Sequence, residues 1–226
     1  MTVNWLGIVG GCGPVASTHI QHTLQQRATV SVEQEHVPIL NCVDSTMPSR
    51  VKAINGEIPV PVESVEDFFV TNATFLDYRC DYLVIGSNTS HYFYDAVNRT
   101  TDADVIHLPH TALDALVDND ENQIQILGTN TLAEVGVYDT DHDIDVIHVD
   151  PDGATDVIFE IKNDNMNEAR WLFEEWLQQK ANPDIPVLLA CTELSKLDIP
   201  LPFYGYDAVD LFADFYLDTC HNFNQE

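Results

Sequence analysis

Val187-Leu-Leu-Ala-Cys191-Thr-Glu-Leu194 sets four apolar residues directly ahead of a cysteine and a short polar turn. A buried parallel strand reads as a continuous apolar run of this kind. A reactive group at its carboxyl end stands where open α/β sheets bind ligands. Taken alone, the stretch is equally well a strand ending in a small buried cysteine. Tyr82-Leu-Val-Ile-Gly-Ser87-Asn-Thr-Ser-His91 has the same layout: an apolar strand, one small residue and a nucleophile-type side chain. Asn88 and Thr89 follow, residue types that cap helices. Ser87 holds here the position that Cys191 holds in the other stretch.

The rest of the chain extends this pattern. Val3–Val9 predicts a strand, followed by Gly10-Gly11-Cys12-Gly13-Pro14 and a helix to about Thr29. A glycine-rich turn lets backbone N–H groups approach an anion at a helix start. No Gly-Lys-Ser/Thr follows, and the spacing does not match the dinucleotide fingerprint, so a tight βα turn without ligand stays open. Val37–Val43 predicts the next strand. Asp44–Glu57, with Met47-Pro-Ser-Arg50, reads as a polar loop able to cover a site. Arg50 is one of five arginines, and a loop arginine is ordinarily a solvated surface charge. Ser64–Tyr78 predicts an amphipathic helix, Tyr82–Ile85 a strand and Ser90–Val97 a helix.

Downstream, strand Val105–Leu108 leads to helix Thr111–Val117. Strand Gln123–Leu127 runs into Gly128-Thr129-Asn-Thr131 and a helix to about Val137. Strand Asp145–Val149 is followed by a helix that starts at Asp150-Pro-Asp152 and carries Ile158, Ile161 and Lys162. Helix Met166–Ala181 holds Trp171, Phe173, Trp176 and Leu177, read as core or interface aromatics and aliphatics. After the Cys191 strand come a bend with Pro200 and Pro202 and a last helix, from about Asp207 to Asn222. Strict β/α alternation argues a parallel sheet with helices on both faces. The elements also repeat: Leu6–Gly10 resembles Ile124–Gly128, as the Ser87 stretch resembles the Cys191 stretch. Two similar halves would set these four turns around a shared cleft.

The 226 residues suffice for one large α/β domain or two small ones, and 45% hydrophobic content can build real cores. Thirty-seven acidic against nine basic residues give a net charge of −28, which argues against nucleic acid or anionic lipid as partner. Apolar runs fall far short of the ~20 residues of a membrane helix. Met1-Thr-Val-Asn-Trp5 lacks the basic start and apolar core of a signal peptide, so a soluble, cytoplasmic protein is expected. The five cysteines show no CxxC or Cys/His metal spacing, and no disulfide framework or metal site is expected. His36, His107, His110, His148 and the other histidines read as scattered, with no ligand set among them.

Two thiols facing each other across a cleft suit proton abstraction beside a carboxylate, one removing the α-proton and the other returning it on the opposite face. A thiol's ordinary pKa is about 8.5, and a helix start lowers it toward a useful thiolate. The developing charge then needs backbone N–H groups and a cation on the carboxylate.

Together, Gly10–Pro14, Pro48-Ser-Arg50, Ser87-Asn-Thr-Ser-His91, Leu127-Gly-Thr129 and Ala190-Cys-Thr-Glu-Leu194 give the chain a resemblance to the cofactor-independent aspartate/glutamate racemase family over nearly its whole length. The resemblance implies two pseudo-symmetric three-layer α/β domains with parallel sheets and the active site in the cleft between them, often in a homodimer. It implies residues 1–98 plus 203–226 as the first domain and 99–202 as the second. No cofactor is implied, and the substrate is a small acidic amino acid. Cys191 matches the second catalytic cysteine. Asn88 and Thr89 match residues that hold the substrate near the first, and Thr129 and Thr192 match carboxylate-binding turns. Arg50 matches the arginine that meets a substrate carboxylate, and Lys162 lies where some members carry a carboxylate-binding lysine. Gly11 and Glu193 complete the implied substrate site.

The departure is Ser87, which stands where the family has its first catalytic cysteine. A hydroxyl is a far weaker acid than a thiol and needs an adjacent strong base to take an α-proton. His91 is close in sequence, and Cys12 of the first glycine turn is a second candidate for that base. Three explanations stay open: an engineered replacement of cysteine, a natural enzyme with one effective thiol, or a protein that kept binding and lost or changed the reaction. Binding without turnover, hydantoin racemisation and maleate isomerisation are the competing functions.

Overall fold

The computed structural model describes residues 3–57, 59, 61–195, 197 and 204–221. β1 (Leu6–Val9), β2 (Ile39–Cys42), β3 (Tyr82–Ile85) and β4 (Asp104–Ile106) form one sheet in the order β2-β1-β3-β4. β5 (Gln123–Leu127), β6 (Asp145–His148), β7 (Val187–Leu189) and β8 (Gly205–Asp207) form a second in the order β6-β5-β7-β8. Every neighbour pair is parallel. The second order is the first with four added to each number, so the internal repeat read from the glycine-ended strands is a repeat of topology.

Successive strand residues face opposite sides of a sheet, and the core follows that period. Leu6 and Ile8 of β1, Val84 of β3, Ile124 and Ile126 of β5 and Leu188 of β7 enter one central cluster shared by the two sheets. Val9, Leu83 and Ile85 face outward from the first sheet, and Leu127 and Val187 outward from the second. The central layer is filled by α1 (Pro14–Arg27), α5 (Leu108–Asp118) and α10 (Ala208–Phe215), with Leu24, Leu116 and Phe212 fully buried. The outer face of the first sheet is covered by α3 (Val62–Asp77) and α4 (Tyr94–Thr100), that of the second by α7 (Pro151–Lys162) and α8 (Met166–Lys180). On α8, Phe173, Trp176 and Leu177 are buried, whereas Trp171 points to solvent.

The structure departs from the expected boundaries at three places. β4 hydrogen-bonds to β3, so the first sheet reaches Ile106, beyond the division expected at 98/99. β8 pairs with β7 through Val187↔Gly205 and Leu189↔Asp207, which puts residues 205–207 in the second sheet. α10 then packs against α1 and α5, tied by the two hydrogen bonds from Arg27 to Asp214. Within the segment read as a loop, Arg50–Ile54 forms α2, because Ser49 Oγ accepts from the Lys52 N–H and Ala53 is buried. The bend at Pro200 and Pro202, the expected junction at 203 and the helix end at Asn222 lie outside the described residues. Among the described residues no helix is long and apolar enough to cross a membrane, and no group of three or more His, Cys, Asp or Glu is arranged to hold a metal ion.

Candidate active site

Parallel strands of two sheets send their carboxyl ends toward one cavity of about 410 Å³. The first half contributes Cys12 and Gly13 after β1, Arg50 from α2, and Ser87, Asn88 and Thr89 after β3. The second contributes Thr129 after β5, Lys162 at the end of α7, and Cys191, Thr192 and Glu193 after β7. Of the ten residues expected at the site, only Gly11 is absent from the lining. Gly11 acts on the backbone instead: its φ is +97°, and a Cβ there would stand 1.8 Å from the Asp44 carbonyl oxygen. Only glycine permits that crossing, which carries the chain beneath the segment leading to Arg50.

Arg50 is the cation of the first half. Its Nη2 donates to Ser87 Oγ at 3.0 Å, while its Nε is buried without a partner. Among the described residues no carboxylate lies within ion-pair distance of Arg50 or of Lys162. A half-buried guanidinium in the cavity lining, with no carboxylate paired to it, is arranged for an anion. Lys162 is more exposed and reaches the cavity from its rim.

Cys191 is organised differently. Its thiol donates to Glu193 Oε2 at 3.2 Å, and the Thr192 hydroxyl donates to the same oxygen at 3.3 Å. Burial first, and the Glu193 charge second, push the Cys191 thiol well above the ordinary cysteine range. Cys191 therefore rests as the thiol, its S–H directed at Glu193 Oε2. The Glu193 carboxylate also spans the cleft, since a Cβ on Gly13 would stand 3.4 Å from its Oε1.

Among the described residues, no base hydrogen-bonds to the Ser87 hydroxyl. His91 Nδ1 donates to the backbone carbonyls of Ser87 (3.0 Å) and Asn88 (3.2 Å), and its Nε2 accepts from the Leu108 N–H at 3.2 Å. Both ring nitrogens are committed to the backbone, and burial lowers the His91 pKa to about 4, so the neutral ring anchors the turn rather than serving the hydroxyl. Cys12 is also buried, within 4.0 Å of Met47 Sδ; burial raises its pKa and Arg50 opposes that. The histidines are not scattered as expected. The rings of His91, His107, His110 and His142 form a row with centroid separations of 4.8, 3.5 and 5.2 Å. Lining residues missed in the sequence include Ser49, Lys52 and Glu57. Their signal was present in the polar run that also carries Arg50.

A family model described as Asp/Glu/Hydantoin racemase matches residues 9–210. Among solved structures, Picrophilus torridus aspartate racemase is 21% identical, with a TM-score of 0.80 over 96% of this chain and 94% of that one. An aspartate racemase homologue from Pyrococcus horikoshii OT3 is 16% identical, with a TM-score of 0.74 over 95% and 98%. Francisella tularensis glutamate racemase, solved in complex with D-glutamate, is 13% identical, with a TM-score of 0.60 over 98% and 84%. At these identities the structural likeness is one of fold.

Proposed function

The chain belongs to the Asp/Glu/Hydantoin racemase family, and from that premise we propose that it is a cofactor-independent amino-acid racemase acting on aspartate or glutamate. The observation that carries the reading is the pairing of Ser87 and Cys191, at equivalent strand ends of the two halves, across a cavity with an uncompensated guanidinium. Arg50 takes one carboxylate of the substrate with its guanidinium at the cavity wall. Lys162 and the Thr129 turn face the second. The α-carbon then lies between the two strand ends.

On the Cys191 face the proton moves in two linked transfers. Glu193 accepts the thiol proton, and the thiolate takes the α-hydrogen; the reverse sequence returns a proton to the carbanion. Proton transfer of this kind needs a group within hydrogen-bond reach of its partner, as Cys191 and Glu193 are. On the opposite face, among the described residues, the Ser87 hydroxyl has only Arg50 to stabilise its alkoxide. A serine hydroxyl is far less acidic than a thiol, so this face is slow.

The test is α-hydrogen exchange in D₂O by NMR with L- and D-aspartate and L- and D-glutamate, for the chain as given and for Ser87→Cys. The expected outcome is exchange of one enantiomer with retention in the first, and of both with inversion in the second. No exchange in either protein would overturn the racemase reading. The Arg50–Ser87 hydrogen bond favours a second reading, a binder of a small dicarboxylate without turnover. Aspartate or glutamate would then raise the melting temperature with no exchange in either protein.

A further inference from the structure

Asn88 lines the cavity, but its side chain is held from the other half of the molecule. Its Oδ1 accepts a 2.8 Å hydrogen bond from the hydroxyl of Tyr138, fifty residues away. Tyr138 follows α6 (Asn130–Val135), is fully buried in the core shared by the two sheets, and does not line the cavity. Burial first, and the nearby Asp207 charge second, keep its hydroxyl protonated far beyond neutral pH. It is therefore a permanent donor. His91 holds the Asn88 backbone carbonyl from the other side at 3.2 Å.

A carboxamide has one accepting end and one donating end. With Oδ1 turned to Tyr138, the end left for the cavity is the Nδ2 amide, a donor. A donor meets the oxygens of a carboxylate; the flipped amide would offer oxygen against oxygen. We propose that Tyr138 is a positioning residue that sets the polarity of Asn88, holding Nδ2–H toward the cavity so that it donates to a carboxylate of the bound amino acid. Tyr138 itself touches no ligand. The inference rests on the amino-acid reading given above.

Tyr138→Phe removes the hydroxyl and little else. Calorimetric titration with L- and D-aspartate should show the dissociation constant of the preferred enantiomer raised about tenfold. In an Asn88→Ala background the same substitution should change affinity less than twofold, because the group it orients is gone. Asn88→Asp keeps an acceptor for Tyr138 and presents oxygen to the cavity. It should lose affinity at least tenfold with a melting temperature close to the parent's, and it tests the polarity even if Tyr138→Phe fails to fold. Parent-like affinity in Tyr138→Phe or in Asn88→Asp, or an equal loss with and without Asn88, would overturn the inference while leaving the racemase reading intact. A parent protein that binds neither aspartate nor glutamate overturns both together.

Discussion

The Cys191 thiol donates a hydrogen bond to the Glu193 carboxylate, with Sγ 3.2 Å from Oε2. The carboxylate opposes thiolate formation by its charge and yet is the group that can receive the thiol proton. Glu193→Gln separates these two effects. Without the negative charge the Cys191 pKa falls, so alkylation of Cys191 by iodoacetamide at pH 7.5, read on its own peptide, should speed up threefold or more. Exchange of the α-hydrogen should slow at least tenfold, because the proton acceptor is lost. Alkylation that slows together with exchange would mean that Glu193 activates the thiol by another route.

Arg50 carries a buried Nε with no partner and faces no carboxylate within ion-pair distance among the described residues. A charge held that way costs the fold stability while it serves a ligand. Arg50→Gln should therefore weaken aspartate binding by about 10- to 100-fold, the range of one charge-assisted hydrogen bond. Its melting temperature should stay within about 2 °C of the parent's or rise. A clear fall in melting temperature would make Arg50 a structural residue.

Gly11 should be irreplaceable for a different reason. An alanine there would take φ +97° and press its Cβ against the Asp44 carbonyl, and the nearest atom is backbone that no rotamer change can move. The loss expected for Gly11→Ala is about 2 kcal/mol or more, equal to a drop of roughly 4–8 °C for a chain of this size. Thermal melting checks it. A melting temperature unchanged by the substitution would show that the β1–α1 turn has a second conformation.

The strands that carry the site were legible because both their faces are buried. Tyr82–Ile85 and Val187–Leu189 read as continuous apolar runs, and the polar residues after them mark the strand ends. β8 was not legible, since Gly205-Tyr-Asp207 has no apolar run and becomes a strand only by pairing with β7. α2 is barely longer than one turn and depends on the Ser49 cap and the burial of Ala53, both tertiary facts. Nine of the ten residues expected at the site line the cavity, whereas Gly11 shows that a motif glycine can shape a cavity without lining it. The commitment of His91 to two backbone carbonyls, and the reach of Tyr138 to Asn88, leave no local trace. Periodicity reports which face a residue occupies, and says nothing of the partner it meets there.

The row of histidines, with His91 buried and His107, His110 and His142 half-buried, makes the fold acid-sensitive. His91 and His107 have pKa values of about 4 and about 2, lowered chiefly by burial and further by neighbouring histidines. His107 faces His91, His110 and Tyr94, and His110 in turn faces His142, whose Nε2 lies 3.0 Å from Asp114. An unfolded histidine takes up a proton near pH 6.5. The folded protein refuses it, so the stability contributed by the neutral rings is complete above pH 6.5 and declines as pH falls, ending near pH 4 for His91 and continuing toward pH 2 for His107. Between pH 6.5 and 5 the ordinary carboxylates stay ionised, so histidine uptake dominates the slope there. The melting temperature should fall steadily from pH 6.5 to 5, each fully excluded proton contributing up to about 1.4 kcal/mol per pH unit. His107→Asn keeps an N-cap acceptor for the His110 N–H at the start of α5 and carries no titratable group. It should flatten the slope by about 3 °C per pH unit in thermal melts. A slope equal to the parent's would show that the ring of His107 is protonated in the folded protein, and that the row stands open to water.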